Sequence, residues 1–334
     1  MGNQPSRIIE KTKRNRSVSK KNRRLSTVSH RTAPSQHNNR RPSVASILSM
    51  TTSTFVKRRK PSSVKSPEDL RELDRLQRQH YLLKHARKTN CYALNKMASS
   101  PKKILDVGTG SGIWALELAS EQPTCRIISI GLRSVLDQTT TPPNVEYITM
   151  DLYQPWENIE SDSIDLVYQR ALGPSSTKEQ WQHLIKESIR VLKPGGWIEW
   201  VECDMFHHNP GPILQAFDQY RQEEMVKKKV VDFYYTEQFT EELKQLSTID
   251  LVDHILFDIP IGEWHTDSFE KQLGFINLDI QKAFYRNQKS FYCSAWSIPS
   301  DDYDTAVQAL LVEFEEFKCF SRFHCWLATK KKIE

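Results

Sequence analysis

The chain has no C-x-x-C pair, no apolar run near the ~20 residues that cross a bilayer, and no visible secretory leader. Its six cysteines (Cys91, Cys125, Cys203, Cys293, Cys319 and Cys325) are scattered. That spacing argues against a zinc site and for a reducing, cytoplasmic setting. No internal repeat is visible. Acids are nearly missing from residues 1–66, where 17 Lys and Arg stand against Glu10 alone. The remaining residues hold 30 basic and 40 acidic side chains, so a tail of +16 is joined to a body of −10.

The tail also lacks large apolar residues. It is rich in Ser, Arg, Lys, Asn and Pro, and cannot bury enough surface to offset its ordering entropy, so disorder is expected over 1–66. Three readings of its charge stay open. It is a solvated tail, or a nuclear-import or nucleic-acid patch built on Lys11-Thr12-Lys13-Arg14-Asn15-Arg16 and Lys57-Arg58-Arg59-Lys60, or a membrane-binding segment. The patch has no interleaved aromatics, so base stacking and sequence-specific nucleic-acid binding are not indicated. The membrane reading rests on Met1-Gly2-Asn3-Gln4-Pro5-Ser6, which matches the M-G-x-x-x-[ST] pattern for N-myristoylation. One acyl chain holds only marginally, and the basic cluster from Arg7 to Arg24 would supply the second attraction, to an anionic surface. Ser26 and Ser43 follow paired arginines, and phosphates there would cancel that attraction.

What is present is concentrated in Lys102-Lys103-Ile104-Leu105-Asp106-Val107-Gly108-Thr109-Gly110-Ser111-Gly112-Ile113-Trp114: a short apolar strand carrying an acid, a glycine-rich turn and a helix start. Glycines let a ligand lie against bare backbone, and the helix-start amides favour negative groups. A dinucleotide site wants a third glycine where Ile113 stands. Asp106 would repel a pyrophosphate but suits a nucleoside cofactor with a positive centre and an amino-acid tail. An NAD enzyme is disfavoured by Ile113 and by Gly131, a place where NAD too would want an acid.

Strand and helix signals alternate around this turn. Ser66-Pro67 opens a helix over 67–89 with an apolar stripe of Leu70, Leu73, Leu76, His80 and Leu83. Strands are expected over 104–107, 126–131, 145–149, 164–168 and 197–201. Helices are expected over 113–120 and 178–192, the second stopped by Lys193-Pro194-Gly195-Gly196. Beyond 203 come a helix over 237–246, a strand over 251–260, helices over 264–292 and 302–318, and a final strand over 319–328. The pattern predicts an α/β fold with a doubly wound sheet. Residues 67–205 would form the cofactor-binding core and 206–334 a C-terminal part with helices on the acceptor side.

Several segments together resemble the fungal LaeA-like class I S-adenosylmethionine (SAM) methyltransferases over residues 68–332. They are the turn from Ile104 to Trp114, Thr141-Pro142-Pro143-Asn144-Val145-Glu146-Tyr147, Asp151-Leu152 with Pro155-Trp156, the run Ser163 to Leu172, Val191 to Glu199, Leu73 to His80, Ile259 to Trp264, and Gly274. The resemblance implies a Rossmann-like seven-stranded sheet, mostly parallel with an antiparallel C-terminal strand, plus a helical insertion. It implies SAM as cofactor and a methyl acceptor, small molecule or protein, that it does not identify. It places Gly108, Thr109, Gly110 and Gly112 under the methionine part of SAM and Asp106 at its amino group. Asp151 would face the adenine amine, with Leu152 against the ring. Gln169 and Arg170 would line the mouth after the fourth strand, and His80 would reach the cofactor from the opening helix.

One departure stands out. The second strand of that family normally ends in an acid that holds the ribose hydroxyls, and Gly131 takes that place here, with Asp137 nearby. A catalytically weak or inactive regulatory relative is therefore the alternative to an active enzyme. Methyl transfer needs little acid–base apparatus, so the absence of a triad is expected. No catalytic residue is assigned; Glu202, Asp204, His207 and His208 are candidate bases. Adjacent His207 and His208 make poor metal ligands, and no metal site is expected. A nuclear or peripheral-membrane location follows from the tail readings.

Overall fold

The computed structural model describes residues 67–132 and 141–332. The tail with Gly2 and both basic clusters, and Asp137, lie outside the described residues. Two compact units are distinguished. One comprises Val64–Asn287 and Leu311–Glu334, and the other includes Gln288–Leu310.

The larger unit is built on a seven-stranded sheet in the order β3-β2-β1-β4-β5-β7-β6. Its strands are β1 (Lys103–Val107), β2 (Arg126–Gly131), β3 (Val145–Thr149), β4 (Ile164–Arg170), β5 (Leu192–Cys203), β6 (Ile249–Pro260) and β7 (Phe320–Lys330). β1 to β5 pair in parallel, and β7 lies antiparallel between β5 and β6. The first strands read as near-continuous apolar runs because both faces of the sheet are covered. The chain winds outward from β1 to β3, then returns to β4 on the other side, so the switch point lies between β1 and β4.

One face of the sheet carries α1 (Pro67–Arg87), α2 (Tyr92–Lys96) and α3 (Ile113–Glu121). There Trp114 stacks on Tyr168 with ring centroids 3.9 Å apart, amid Ile104, Leu118, Ile127 and Leu166. Arg87 pairs with Glu199 in the sheet, and the second carboxylate oxygen accepts from Ala93 N at 2.9 Å. Both charges are buried, so the pair fixes the α1–α2 turn to the sheet. The other face packs against α4 (Lys178–Val191) and α6 (Tyr235–Gln245), through Trp181, Leu184, Phe239 and Leu243. α4 starts where Thr177 and Gln180 cap each other reciprocally, with Thr177 N donating to Gln180 Oε1 at 2.8 Å. α5 (Pro212–Lys227) and α7 (Ser268–Asn287) complete the large unit. α8 (Lys289–Trp296) and the start of α9 (Ser300–Glu316) form the described part of the other, where Tyr292 and Tyr303 stack at 5.9 Å.

The fold matches the expected α/β, mostly parallel seven-stranded sheet with an antiparallel last strand, and β2 and β3 have the expected bounds. Helices α2 and α5 carried no expectation, several element ends shift by a few residues, and three further details differ. The Lys-Pro-Gly-Gly run belongs to the start of β5 rather than to a helix end, because the residue before a proline is driven out of the helical region and α4 stops at Val191. The helix expected from residue 264 begins at Ser268, where Asp267 Oδ1 accepts from Phe269 N at 2.9 Å and Glu270 N at 3.0 Å as a cap. It then divides near Gln288 into α7 and α8.

Candidate functional site

The glycine turn leaves the carboxyl end of β1 at the switch point. Gly108, Gly110 and Gly112 have φ of 74°, 58° and 78°, conformations that a side chain disfavours, so the turn needs this residue type at all three places. Among the described residues, chain neighbours aside, nothing comes closer than 3.8 Å to where a Cβ of Gly110 would lie, whereas a Cβ at Gly108 would meet Leu172 Cδ2 at 2.7 Å. Leu172 therefore floors the turn at its first glycine, and the second glycine is bare.

Asp106 lies at the foot of this turn, buried on the α1–α3 face. Ser129 Oγ donates to Asp106 Oδ2 at 3.2 Å. Burial pushes the Asp106 carboxyl up to about 6, against the pull of the Thr109 and Ser129 hydroxyls and of Arg170. A buried carboxylate on the edge of protonation at the open end of a sheet is poised for a cationic partner.

His80 reaches this region from α1, 1% exposed. Its Nε2 lies 2.9 Å from Glu117 Oε2, and its Nδ1 lies 3.3 Å from Arg170 Nη1. Arginine cannot accept, so Nδ1 accepts from Arg170 and Nε2–H donates to Glu117: a neutral ring held in one tautomer. Burial, and then the Arg170 charge, push it down to about 4. Both ring nitrogens are thus used inside the protein, and His80 orients Arg170.

Gln169 sits opposite Val107 in β1 and Trp200 in β5. It is fully buried, and neither its amide oxygen nor its nitrogen finds a partner among the described residues. Such an orphan costs stability unless water or a ligand meets it. Asp151 is exposed beyond β3, where its Oδ1 accepts from Tyr153 N at 3.0 Å in a turn of its own. Leu152 is buried in the core under Trp156, whose Nε1 donates to Leu152 O at 3.0 Å. The structure therefore brings Asp106, Thr109, the glycines, Gln169, Arg170 and His80 to the switch point. It places Asp151 and Leu152 beyond β3, two strands out from β1.

At the end of β5 and beyond it the candidate bases have internal partners. Glu202 accepts from Leu172 N at 3.0 Å, Gly173 N at 3.3 Å and Tyr235 Oη at 2.8 Å, so it clamps the loop after β4. Ala171 in that loop has φ of 56°. Asp204 accepts from His208 Nε2 at 2.8 Å and His324 Nε2 at 2.9 Å, and His207 lies 3.4 Å from Asp218. Among the described residues no group of three or more His, Cys, Asp or Glu could hold a metal ion. Sequence reading missed the Glu202 clamp and Tyr235, because their partners are 29 to 33 residues apart and carry no local motif.

The chain is 28% identical over 213 residues to the methyltransferase pytC of Aspergillus terreus, covering 62% of this chain and 64% of the relative. It is 29% identical over 226 residues to the secondary metabolism regulator laeA of Aspergillus niger, covering 65% and 58%. It spans less than two thirds of the length of these curated relatives. Among solved structures it is similar to phosphoethanolamine N-methyltransferase 2 of Haemonchus contortus, at 18% identity and a TM-score of 0.45, covering 82% of this chain and 62% of that one. A family model described as a methyltransferase domain matches residues 79–248, just over half of the chain, and the protein belongs to that family.

Proposed function

We propose that this protein is a SAM-dependent methyltransferase. One observation carries the reading: a buried carboxylate, Asp106, at the foot of a three-glycine turn on the switch point of a doubly wound sheet. The residues present fit that cofactor. The bare backbone at Gly110 gives room for its amino-acid tail, Asp106 offers the counter-charge for its ammonium group, and Gln169 offers an unmet buried amide. When bound, SAM supplies an activated methyl on a sulfonium. The chain's own residues then bind and orient: Asp106 holds the charged tail, and Leu172 supports the turn from below. Glu202 keeps the Leu172–Gly173 loop in place, and His80 fixes the Arg170 guanidinium at the mouth. Positioning of this kind can supply most of the rate of such a transfer.

A second reading, a regulatory binding protein on the same fold, is favoured by Gly131 and by the regulator among its relatives. Calorimetric titration with SAM and with S-adenosylhomocysteine separates the two. Heat and a thermal shift are expected; none at millimolar ligand would overturn the first reading in favour of the second.

The proposal extends to the tail. Acylation at Gly2 with the Arg7–Arg24 cluster would give reversible association with anionic membranes, and an otherwise cytoplasmic protein. A Gly2→Ala variant should leave the membrane fraction; unchanged partitioning would remove this part of the reading. The methyl acceptor is taken to be a small molecule or a protein.

A further inference from the structure

Nucleoside sites built on a glycine turn place an acid about 20 residues further on, at the end of the next strand, where it grips the ribose hydroxyls. Gly131 ends that strand here. Its own place is taken from the side: a Cβ on residue 131 would lie 3.0 Å from the hydroxyl oxygen of Tyr147.

Tyr147 comes from β3, where it sits opposite Ser129, and Ser129 sits opposite Asp106 in β1. The three form one cross-strand row on one face of the sheet, with the Ser129 hydroxyl donating to Asp106. Residue 131 is two positions beyond Ser129, about 6.6 Å toward the carboxyl rim at strand rise. The half-buried Tyr147 ring spans that step, so its oxygen arrives at the strand end on the same face as the Asp106 carboxylate.

We propose that the Tyr147 hydroxyl replaces the missing acid and makes the hydrogen bond to a ribose hydroxyl of the bound nucleoside. This rests on the SAM reading above. The chemistry differs from that of an acid. A carboxylate accepts from two hydroxyls with charge assistance, whereas a phenol gives one neutral contact, as acceptor from one hydroxyl or donor to it. Glycine at 131 leaves the phenol in place, whereas a Cβ there would make its oxygen give way by a few tenths of an ångström. A purely structural Tyr147, an aromatic ring covering a strand glycine, would explain the packing but would be blind to the sugar.

The test is calorimetric titration of the full chain with S-adenosylhomocysteine and with its 2′-deoxy and 3′-deoxy analogues. Tyr147→Phe should weaken S-adenosylhomocysteine about three- to tenfold, the worth of one neutral hydrogen bond. It should leave affinity for one of the two deoxy analogues unchanged. Gly131→Ala, which shifts the phenol without removing it, should give a smaller loss with the same analogue dependence, and it keeps the test open if Tyr147→Phe folds poorly. Equal binding by parent and Tyr147→Phe, or a loss that is the same for all three ligands, overturns the inference and leaves the SAM reading standing. A parent that binds none of the three overturns both.

Discussion

His324 Nε2 lies 2.9 Å from Asp204 Oδ1, at the end of a hydrogen-bonded chain that crosses the sheet. Trp326 Nε1 donates to Thr240 Oγ1 at 2.8 Å, which leaves the Thr240 proton for His254 Nδ1 at 3.2 Å. His254 Nε2 then faces His324 Nδ1 at 3.0 Å, and His324 donates onward to the carboxylate. Every donor points toward Asp204, which Thr236 and His208 also address.

These donors hold Asp204 well below the usual carboxylate range, although burial acts the other way. A carboxylate depressed in the native state adds stability that is present above its unfolded value, about 4, and lost as pH falls toward its native one. Asp204→Asn should therefore cost about 2–4 kcal/mol at neutral pH, as when one partner of a buried network is removed. It should also flatten the decline in stability between about pH 4 and pH 2. Denaturant titrations at pH 7, 4 and 3 measure both; a variant with the parent's acid slope would refute the assignment.

His80 gives a second window with the opposite group. The native ring stays neutral to about pH 4, whereas the unfolded ring protonates near 6.5. Between those values the unfolded chain binds more protons, so stability rises with pH across the window and falls on acidification. His80→Gln should remove that share of the slope and cost about 1–3 kcal/mol for the lost contacts with Glu117 and Arg170. Unfolding curves at pH 7 and pH 5 should converge for this variant relative to the parent.

The turn from Gly108 to Gly112 and its Asp106 were legible because strand, acid, glycines and helix start are contiguous, and each acts through its own backbone. The sheet was legible for the same reason: β2 is a short, mostly apolar run and β3 a short run rich in β-branched and aromatic residues, each bounded by turn residues. His80 was visible as a polar residue on an apolar stripe, but its partners stand 37 and 90 residues away, and only the packing of α1 across α3 and β4 shows what it does. α5 escaped because its buried positions, Leu214, Phe217 and Asp218, form a short stripe that includes an acid. Tyr147 carried no signal at all, since its relation to Gly131 exists only through the register of two strands.

Glu202 is a base by sequence position and a clamp by geometry. Burial pushes its carboxyl up to about 7, against the hydrogen bonds from Leu172, Gly173 and Tyr235. A carboxyl raised in the native state destabilises the fold as it ionises, so its share of stability falls as pH rises from about 4 to about 7. Glu202→Gln should abolish this dependence. It should cost about 1–3 kcal/mol, because the amide nitrogen must face one of the two backbone donors of the loop whichever way the side chain is turned. Tyr235→Phe should keep the loop contacts and shift the titration instead. If Glu202→Gln retained the parent's slope over pH 5–7, the slope would have another source.

Asp106 links the same physics to the ligand. Its carboxyl titrates at about 6 in the free protein, and an ammonium group is attracted to the ionised form. Affinity for S-adenosylhomocysteine should then be level above about pH 7 and fall as pH drops through 6, approaching tenfold per unit where the acid is mostly protonated in the free protein and ionised in the complex. The folding contribution runs in the reverse sense, since ionising a buried acid costs stability as pH rises from about 4 to about 6. Asp106→Asn should bind one to two decades more weakly at pH 7.5, the loss of one charge-assisted hydrogen bond, and should bind equally well at pH 5.5 and pH 7.5. Its thermal stability at pH 7.5 should match or exceed the parent's, because the ionised acid is no longer buried. Calorimetric titrations at the two pH values decide the matter: a parent whose affinity is the same at both would show that the carboxylate does not meet the ammonium group.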